Sequence, residues 1–427
     1  MSREPSADFG HSIVIAVILG LFVLSATVNA IRRDATRNFD EVAQLSYVAH
    51  LQHTGEWWPR LDELRLIDPN TFRFTKVPSS LNHPPMFYWL LARLGPTLEN
   101  HPGAVTLHRF INVGIAALGL AILLAIPAAA GLTRLDMYAY CIPLAAIPVL
   151  SPLAGSVNND NLAFAGGAIA TLAAWRLVAT GRTGWLVTAL AAMIAAACAR
   201  LTGLLLSGTM IAGVLAFLWW RGRFEPRWAM LFAIAGLIAA APYLVLIAQY
   251  GSPAPGTPGH IALLKSTAAG TFGARAPRQS FTDFAYTFLT DFVANWRPSP
   301  VPRSAFYNAM LVLPVAAALC GLAGFAISAG RMARGAEKAS DVINVAGVVA
   351  LAAMLACHLA VSYHHHVAFA SNTEAYPRYY LPLAAIMPLA GLSLLSALRN
   401  ARMHAAVTVL LIAGPIVFVL LGAPIRL

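Results

Sequence analysis

The stretch SIVIAVILGLFVLSATVNAIRRDATRNFDEV, Ser12 to Val42, decides how the rest of the chain is to be read. It opens with about twenty uncharged residues, the length of apolar helix that crosses the roughly 30 Å hydrocarbon core of a bilayer. The apolar part of a secretory signal is shorter, about seven to fifteen residues, so this run is expected to be a retained transmembrane helix. Arg32 and Arg33 close it, and a short polar stretch leads to the acidic pair Asp40-Glu41. A membrane helix followed at once by two carboxylates raises two questions: how often such runs recur, and what the acids do at a membrane boundary.

The runs recur along the whole chain. Of its 427 residues 58% are hydrophobic and only 11% charged, against about 25% charged in soluble globular proteins. Spanning-length runs centre near residues 21, 117, 145, 170, 190, 210, 239, 316, 352, 388 and 413, which predicts an all-α polytopic membrane protein with about 11 transmembrane helices. The whole chain, 1–427, then forms one transmembrane domain. With a cytoplasmic N-terminus, alternate connections collect basic residues, among them Arg134, Arg182, Arg223, Arg331, Arg334 and Arg399, as membrane topology requires. The net charge of +11 is explained by that orientation and implies no nucleic-acid partner. The four cysteines, Cys141, Cys198, Cys320 and Cys357, lie in apolar runs and read as packed hydrophobes.

Two long connections remain on the outer side, 32–104 and 250–305, together with short turns that carry unexpected polar groups: Asn158-Asn159-Asp160, Arg200, and Glu374 with Arg378. Polar and charged residues at a membrane boundary point to function or to structural pairing. In the second connection, Phe281, Phe284, Ala285, Phe288, Leu289 and Phe292 form an apolar stripe opposite Asp283, Thr287 and Asp291, expected as an interfacial helix lying flat on the membrane. Gly251 to Gly259, rich in Pro and Gly, reads as irregular loop.

On a helix beginning near Asn38, Asp40, Gln44 and Tyr47 share one face, and Val42, Leu45 and Val48 another, giving an amphipathic juxtamembrane helix. Paired carboxylates near a membrane suit a general base, because burial and a like-charged neighbour raise a carboxyl pKa. The structural alternative is helix capping by the first acid and dipole complementation by the second. Downstream come Gly55-Glu56-Trp57-Trp58-Pro59 and then His83-Pro84-Pro85-Met86-Phe87-Tyr88-Trp89, where the tandem proline sets the start of an aromatic helix and holds His83 at its edge.

This order of an acidic pair after the first span, a Gly-Glu-Trp stretch and a His-Pro-Pro segment resembles the first periplasmic loop of the GT-C glycosyltransferases. The branch it resembles most holds bacterial aminoarabinose transferases and protein O-mannosyltransferases, and the match runs over about residues 12 to 95. Asn158-Asn159-Asp160 and Pro377-Arg378-Tyr379-Tyr380-Leu381-Pro382 are similar to segments of a second, related polytopic family. The resemblance implies a GT-C fold in a bacterial inner membrane, with a periplasmic active site. It implies Asp40, paired with Glu41, as catalytic base and His83 beside the donor phosphate. The implied partners are the bilayer, a polyprenyl-phosphate-linked sugar as donor, and a glycan, lipid or protein hydroxyl as acceptor.

Such a donor presents phosphate at the interface, so its site needs cations there; Arg378 and Arg200 are placed to supply them. Either Arg could instead snorkel from a helix end. Lys76, seven residues before His83, is a further phosphate candidate, ahead of Lys265, Arg275 and Arg278. Asn159, Asp160 and Tyr88 are candidate sugar contacts, although an Asn-Asn-Asp run also caps helices. Consecutive His364, His365 and His366 diverge on a helix, so no metal and no cofactor is expected. The expected reaction is a single inverting displacement. A lipid or lipid-linked-sugar transporter, or a noncatalytic lipid-sugar-binding protein, would share the spans but would not depend on Asp40 for turnover.

Overall fold

The computed structural model describes residues 6–37, 39–99, 103–129, 133–269, 278–295 and 312–422. Asn38 and Arg275 lie outside the described residues, as do 270–277 and 296–305 of the second long connection. Helix α1 (Ser6–Arg32) leads to α2 (Glu41–Thr54), a two-stranded antiparallel ribbon of β1 (Arg65–Ile67) and β2 (Phe74–Pro78), and α3 (Met86–Leu94). Then follow α4 (Ala104–Ala129), α5 (Arg134–Ala145), α6 (Leu150–Ala154), α7 (Asp160–Thr180), α8 (Thr183–Ala199), α9 (Leu201–Trp220) and α10 (Pro226–Tyr250). The remainder is α11 (Pro258–Ala269), α12 (Phe281–Ala294), α13 (Val312–Ala333), α14 (Ala339–Phe369), a 3-10 segment Pro377–Leu383, α15 (Ile386–Leu395) and α16 (Ala401–Gly422).

Among the described residues seven helices are long and apolar enough to cross a membrane, and eight if the 3-10 segment and α15, bent by 63°, count as one broken span. Helix α8 and the apolar part of α16 are shorter. The run near 145 breaks where α5 ends and α6 begins, with Pro143 in the last turn of α5 and Pro148 in the break itself. The chain is thus a multi-pass helical membrane protein. Apolar side chains on the outer faces of α1, α10 and α13, such as Leu21, Leu237 and Leu319, are exposed and suited to lipid.

Helix α7 is the most enclosed of the spans. Its small residues explain why. In a bilayer, close helix contact comes from packing rather than from expulsion of water, so Gly and Ala face the neighbours. A Cβ on Gly166 would press into Ala192 and Ala196 of α8, and one on Gly167 would overlap the carbonyl of Pro382. The broken segment carrying Arg378 therefore rests directly on α7.

The two long connections differ from the expectation in one respect each. Helix α2 is buried on nearly every side, its polar face with Gln44, Ser46 and Tyr47 included, because the ribbon, α3 and the spans enclose it. Helix α12 buries Phe284 and Phe288 against Tyr363, His366 and His358 of α14 and leaves Phe281, Tyr286 and Leu289 exposed. The apolar stripe is thus used mainly for docking on α14, and only part of it is left to meet a membrane.

Gly167→Leu is expected to lower the thermal unfolding midpoint in detergent, by the 1–3 kcal/mol or so typical of overpacking. Gly184→Leu, where a Cβ meets nothing within 4 Å, is expected to leave the midpoint nearly unchanged.

Candidate functional site

Asp40 and Glu41, adjacent in sequence, point to different places. Asp40 occupies the left-handed backbone region, with φ 56°, and its side chain makes no cap bond to α2. Few non-glycine residues adopt that conformation, Asp and Asn among the most tolerant. The turn sends the Asp40 carboxylate toward the 3-10 segment, where Arg378 Nη2 donates to Oδ2 at 2.8 Å. Its side chain remains 48% exposed, so it is open to an incoming group.

Glu41 is fully enclosed. Arg109 of α4 donates Nε to Oε1 at 2.8 Å and Nη2 to Oε2 at 2.6 Å, and the Val157 backbone N–H donates to Oε1 at 2.7 Å. The same guanidinium donates to the carbonyls of Ala30 and Arg33 at the end of α1. These bonds tie α1, α4 and the turn before α7 together through Glu41. It holds the acidic turn in place, and Asp40 alone faces the open side.

At the head of α7, Asn158 and Asn159 do the anchoring and Asp160 the pairing. Asn158 caps the Asp160 N–H through Oδ1 and donates to the Phe39 carbonyl, locking this turn to the one bearing Asp40. Asn159 donates to the Ala199 carbonyl at 2.9 Å and accepts from Gln44 at 3.5 Å. The Asp160 carboxylate, nearly fully buried, receives Arg200 Nη1 on Oδ1 at 2.6 Å and lies 3.5 Å from Arg378 Nε through Oδ2. Neither Arg snorkels: their side chains are 10% exposed each. Arg200 also stacks 3.8 Å over the Tyr379 ring, and Arg378 faces Phe39, Tyr376 and Tyr379.

His83 enters from the first connection. Burial, then the positive charges of Arg200 and Arg378, then His260, hold its imidazole well below the usual histidine value. Tyr88 of α3 stacks on Tyr47 of α2 at 4.1 Å and lies within electrostatic reach of Arg200, Asp160 and Asp40. Burial raises its phenol well above the ordinary value, so it stays neutral. Several buried polar atoms here have no hydrogen-bond partner among the described residues: Tyr88 Oη, Gln44 Oε1 and His260 Nδ1. Unsatisfied buried groups are rare, and their gathering in one place suits a site that meets a polar ligand.

Asp40, His83, Tyr88, Asn159, Asp160, Arg200 and Arg378 thus converge. Lys76 does not join them; it stands exposed on β2 and takes no part in the ion-pair network, and Lys265 and Arg278 are likewise exposed. The three histidines diverge on α14: His365 pairs with Glu374 at 2.7 Å, His366 bonds the Ser371 carbonyl, and His364 is exposed. Among the described residues no group of three or more His, Cys, Asp or Glu could hold a metal ion. Sequence reasoning missed Arg109, which supports the site, and His260 and Tyr379, which line it. For Arg109 the signal was present, an Arg inside an apolar run that demands a buried counter-charge.

Chemically the arrangement alternates charge: Asp40, Arg378, Asp160, Arg200. Two guanidiniums held side by side by a carboxylate can accept a phosphate bidentately, and a half-open carboxylate next to them can accept a proton from a hydroxyl. The overall fold has solved counterparts. The structure superposes on ArnT from Cupriavidus metallidurans in the apo state with a TM-score of 0.52 at 13% identity, covering 94% of this chain and 62% of ArnT. It superposes on ArnT from the same organism bound to undecaprenyl phosphate with a TM-score of 0.50 at 15% identity, covering 93% and 62%. This chain therefore has the GT-C fold and spans a little over three fifths of the length of those structures. No family model matches the chain, and no curated protein matches it by sequence.

The two acids are expected to respond oppositely to loss of charge. Glu41→Gln strands the buried Arg109 guanidinium, and breaking such a pair costs about 3–5 kcal/mol; a large drop in melting temperature or in folded yield is expected. Asp40→Asn, on a half-exposed side chain, is expected to melt close to the wild type.

Proposed function

We propose that this chain is a membrane glycosyltransferase that transfers a sugar from a polyprenyl-phosphate donor to an acceptor hydroxyl, with Asp40 as general base. The observation that carries this reading is the contact of a half-exposed carboxylate, Asp40, with a buried guanidinium, Arg378, that shares Asp160 with a second guanidinium, Arg200. A solved ArnT of the same fold is bound to undecaprenyl phosphate, and that ligand class is carried here as part of the proposal. The site opens toward the periplasm in this reading, and the membrane is the bacterial inner membrane.

The donor phosphate competes with Asp40 for Arg378. Once phosphate oxygens take the Arg378 donors, Asp40 is released beside the anomeric carbon. The acceptor hydroxyl attacks that carbon, its proton passes to the Asp40 carboxylate, and the bond to the phosphate oxygen breaks with its electron pair left on phosphate. Configuration at the anomeric carbon inverts. Arg378, Arg200 and a protonated His83 stabilise the charge that builds on the leaving phosphate. Glu41 keeps Asp40 in position, and Asn159, Asp160 and Tyr88 offer polar atoms to the sugar. Because the leaving group already meets cations, the chemistry requires no divalent metal.

Incubating purified protein with a panel of radiolabelled polyprenyl-phosphate sugars and glycan, lipid or protein acceptors tests the reading. Wild type is expected to transfer label, and Asp40→Asn to retain donor while losing transfer by roughly 10²–10⁴-fold, the usual contribution of a general base. Arg378→Ala is expected to lose donor retention. Donor bound but never transferred by the wild type, as by a flippase or a noncatalytic binder, overturns the enzyme reading.

The pH dependence of donor binding tests His83 separately. Its folded value lies below the unfolded one, so near neutral pH the empty site holds it uncharged. A bound phosphate raises that value, and donor binding then takes up a proton. Affinity for the sugar phosphodiester, whose own charge is constant in this range, is expected to tighten as pH falls from about 8 to about 6. His83→Gln is expected to flatten the slope; a slope unchanged by that substitution removes His83 from the phosphate site.

A further inference from the structure

The far end of the same helices carries a cavity lined by arginines. Helix α14 runs from the acidic and basic residues around Asp341 to the site end at His366, and α15 runs the opposite way, from the Arg378 segment to Ser396. Over its 31 residues α14 separates the two ends by roughly 45 Å. At the distal end a cavity of about 590 Å³ opens between α13, the end of α15 and the connection to α16, lined by Arg331, Arg334, Ser396 and Arg399 with Ala326 and Gly330.

The three arginines are not all committed to structure. Arg331 is held in place, donating Nη2 to Ser396 Oγ at 2.7 Å and lying 3.4 Å from Asp341. Asp341 is in turn held by Ser328 and by the Lys338 backbone N–H, and Asn344 bonds Ser328 and Ser393, so the cavity wall is fixed by a buried polar network. Arg334 and Arg399 are exposed and have no acidic partner among the described residues. Elsewhere at this end arginines find one: Arg221 with Glu337 and Arg227 with Glu225. On α13 and α16, Leu319, Leu322 and Val409 are exposed, a surface on which acyl chains can lie.

We propose that this cavity binds the headgroup of an anionic glycerophospholipid from the leaflet opposite the Asp40 site. A phosphodiester meets Arg334 and Arg399 with Arg331 and Ser396 at its back, and the acyl chains run along α13 and α16. Basic pockets between membrane helices are suited to such headgroups, and the continuity of cations with lipid-facing apolar residues selects a lipid over a soluble phosphate. The site does not depend on the proposed transferase reaction.

The test places purified full-length protein in nanodiscs of phosphatidylcholine alone or with about 30% phosphatidylglycerol and measures melting temperature and retained phosphatidylglycerol by native mass spectrometry. Wild type is expected to melt several degrees higher with the anionic lipid and to carry one lipid through delipidation. Arg334→Gln/Arg399→Gln is expected to lose both effects. Arg176→Gln/Arg182→Gln, which removes equal charge from the same end of α7 and α8, is expected to keep them. Equal loss in both double variants means a diffuse surface-charge effect and overturns the proposal. So does a stabilisation reproduced by inorganic phosphate in phosphatidylcholine discs, which assigns the cavity to a soluble anion.

Discussion

Asp160 is the charge on which the site depends. It sits where the most enclosed helix begins, and its two oxygens face two guanidiniums that would otherwise repel each other in a setting with little water. Burying a single Arg is costly, and burying two side by side more so, unless an anion lies between them. With that anion in place, Arg200 and Arg378 are kept close, desolvated and oriented, and Arg378 retains a free edge for Asp40. Each of these charges is neutralised by its neighbour, which lets a charged site exist at the rim of a bilayer.

The frame around this charge cluster is built from small residues and polar locks. Gly167 lets the Pro377–Leu383 segment lie on α7, Asn158 fastens the Asp40 turn to the head of α7, and Arg109 fastens the end of α1 through Glu41. Where lipid replaces water there is little hydrophobic drive to bring helices together, so backbone proximity and hydrogen bonds carry more of the burden of defining position. The GT-C shape shared with ArnT is maintained at 13–15% identity, which fits a fold defined by apolar length and a few polar fixtures more than by any particular side chain.

Much of the fold was legible in the apolar runs, since each run marks a helix and the helix boundaries follow the charges. The run near 145 was harder to read, because hydropathy does not register that prolines divide it. The ribbon between α2 and α3 was not legible, its strands being only three and five residues long. Of the site, the boundary polar residues were legible because an isolated charge next to lipid needs a reason. The division of labour between Asp40 and Glu41 was not. Adjacent acids look alike in sequence, and only the left-handed turn at Asp40 sends them to different partners.

Composition and spacing by themselves determined that this chain is a helical membrane protein and which few charged residues stand at its boundaries. Tertiary structure alone decided which of them meet. Asp40 and Arg378 are 338 positions apart, and their contact depends on the rotation of α7, the bend between the Pro377–Leu383 segment and α15 and the closure of the first connection. Those are set by packing among many helices, so no local stretch of sequence encodes them. The same holds for Lys76, close in sequence to His83 yet left outside the cluster because the ribbon carries it to an exposed face.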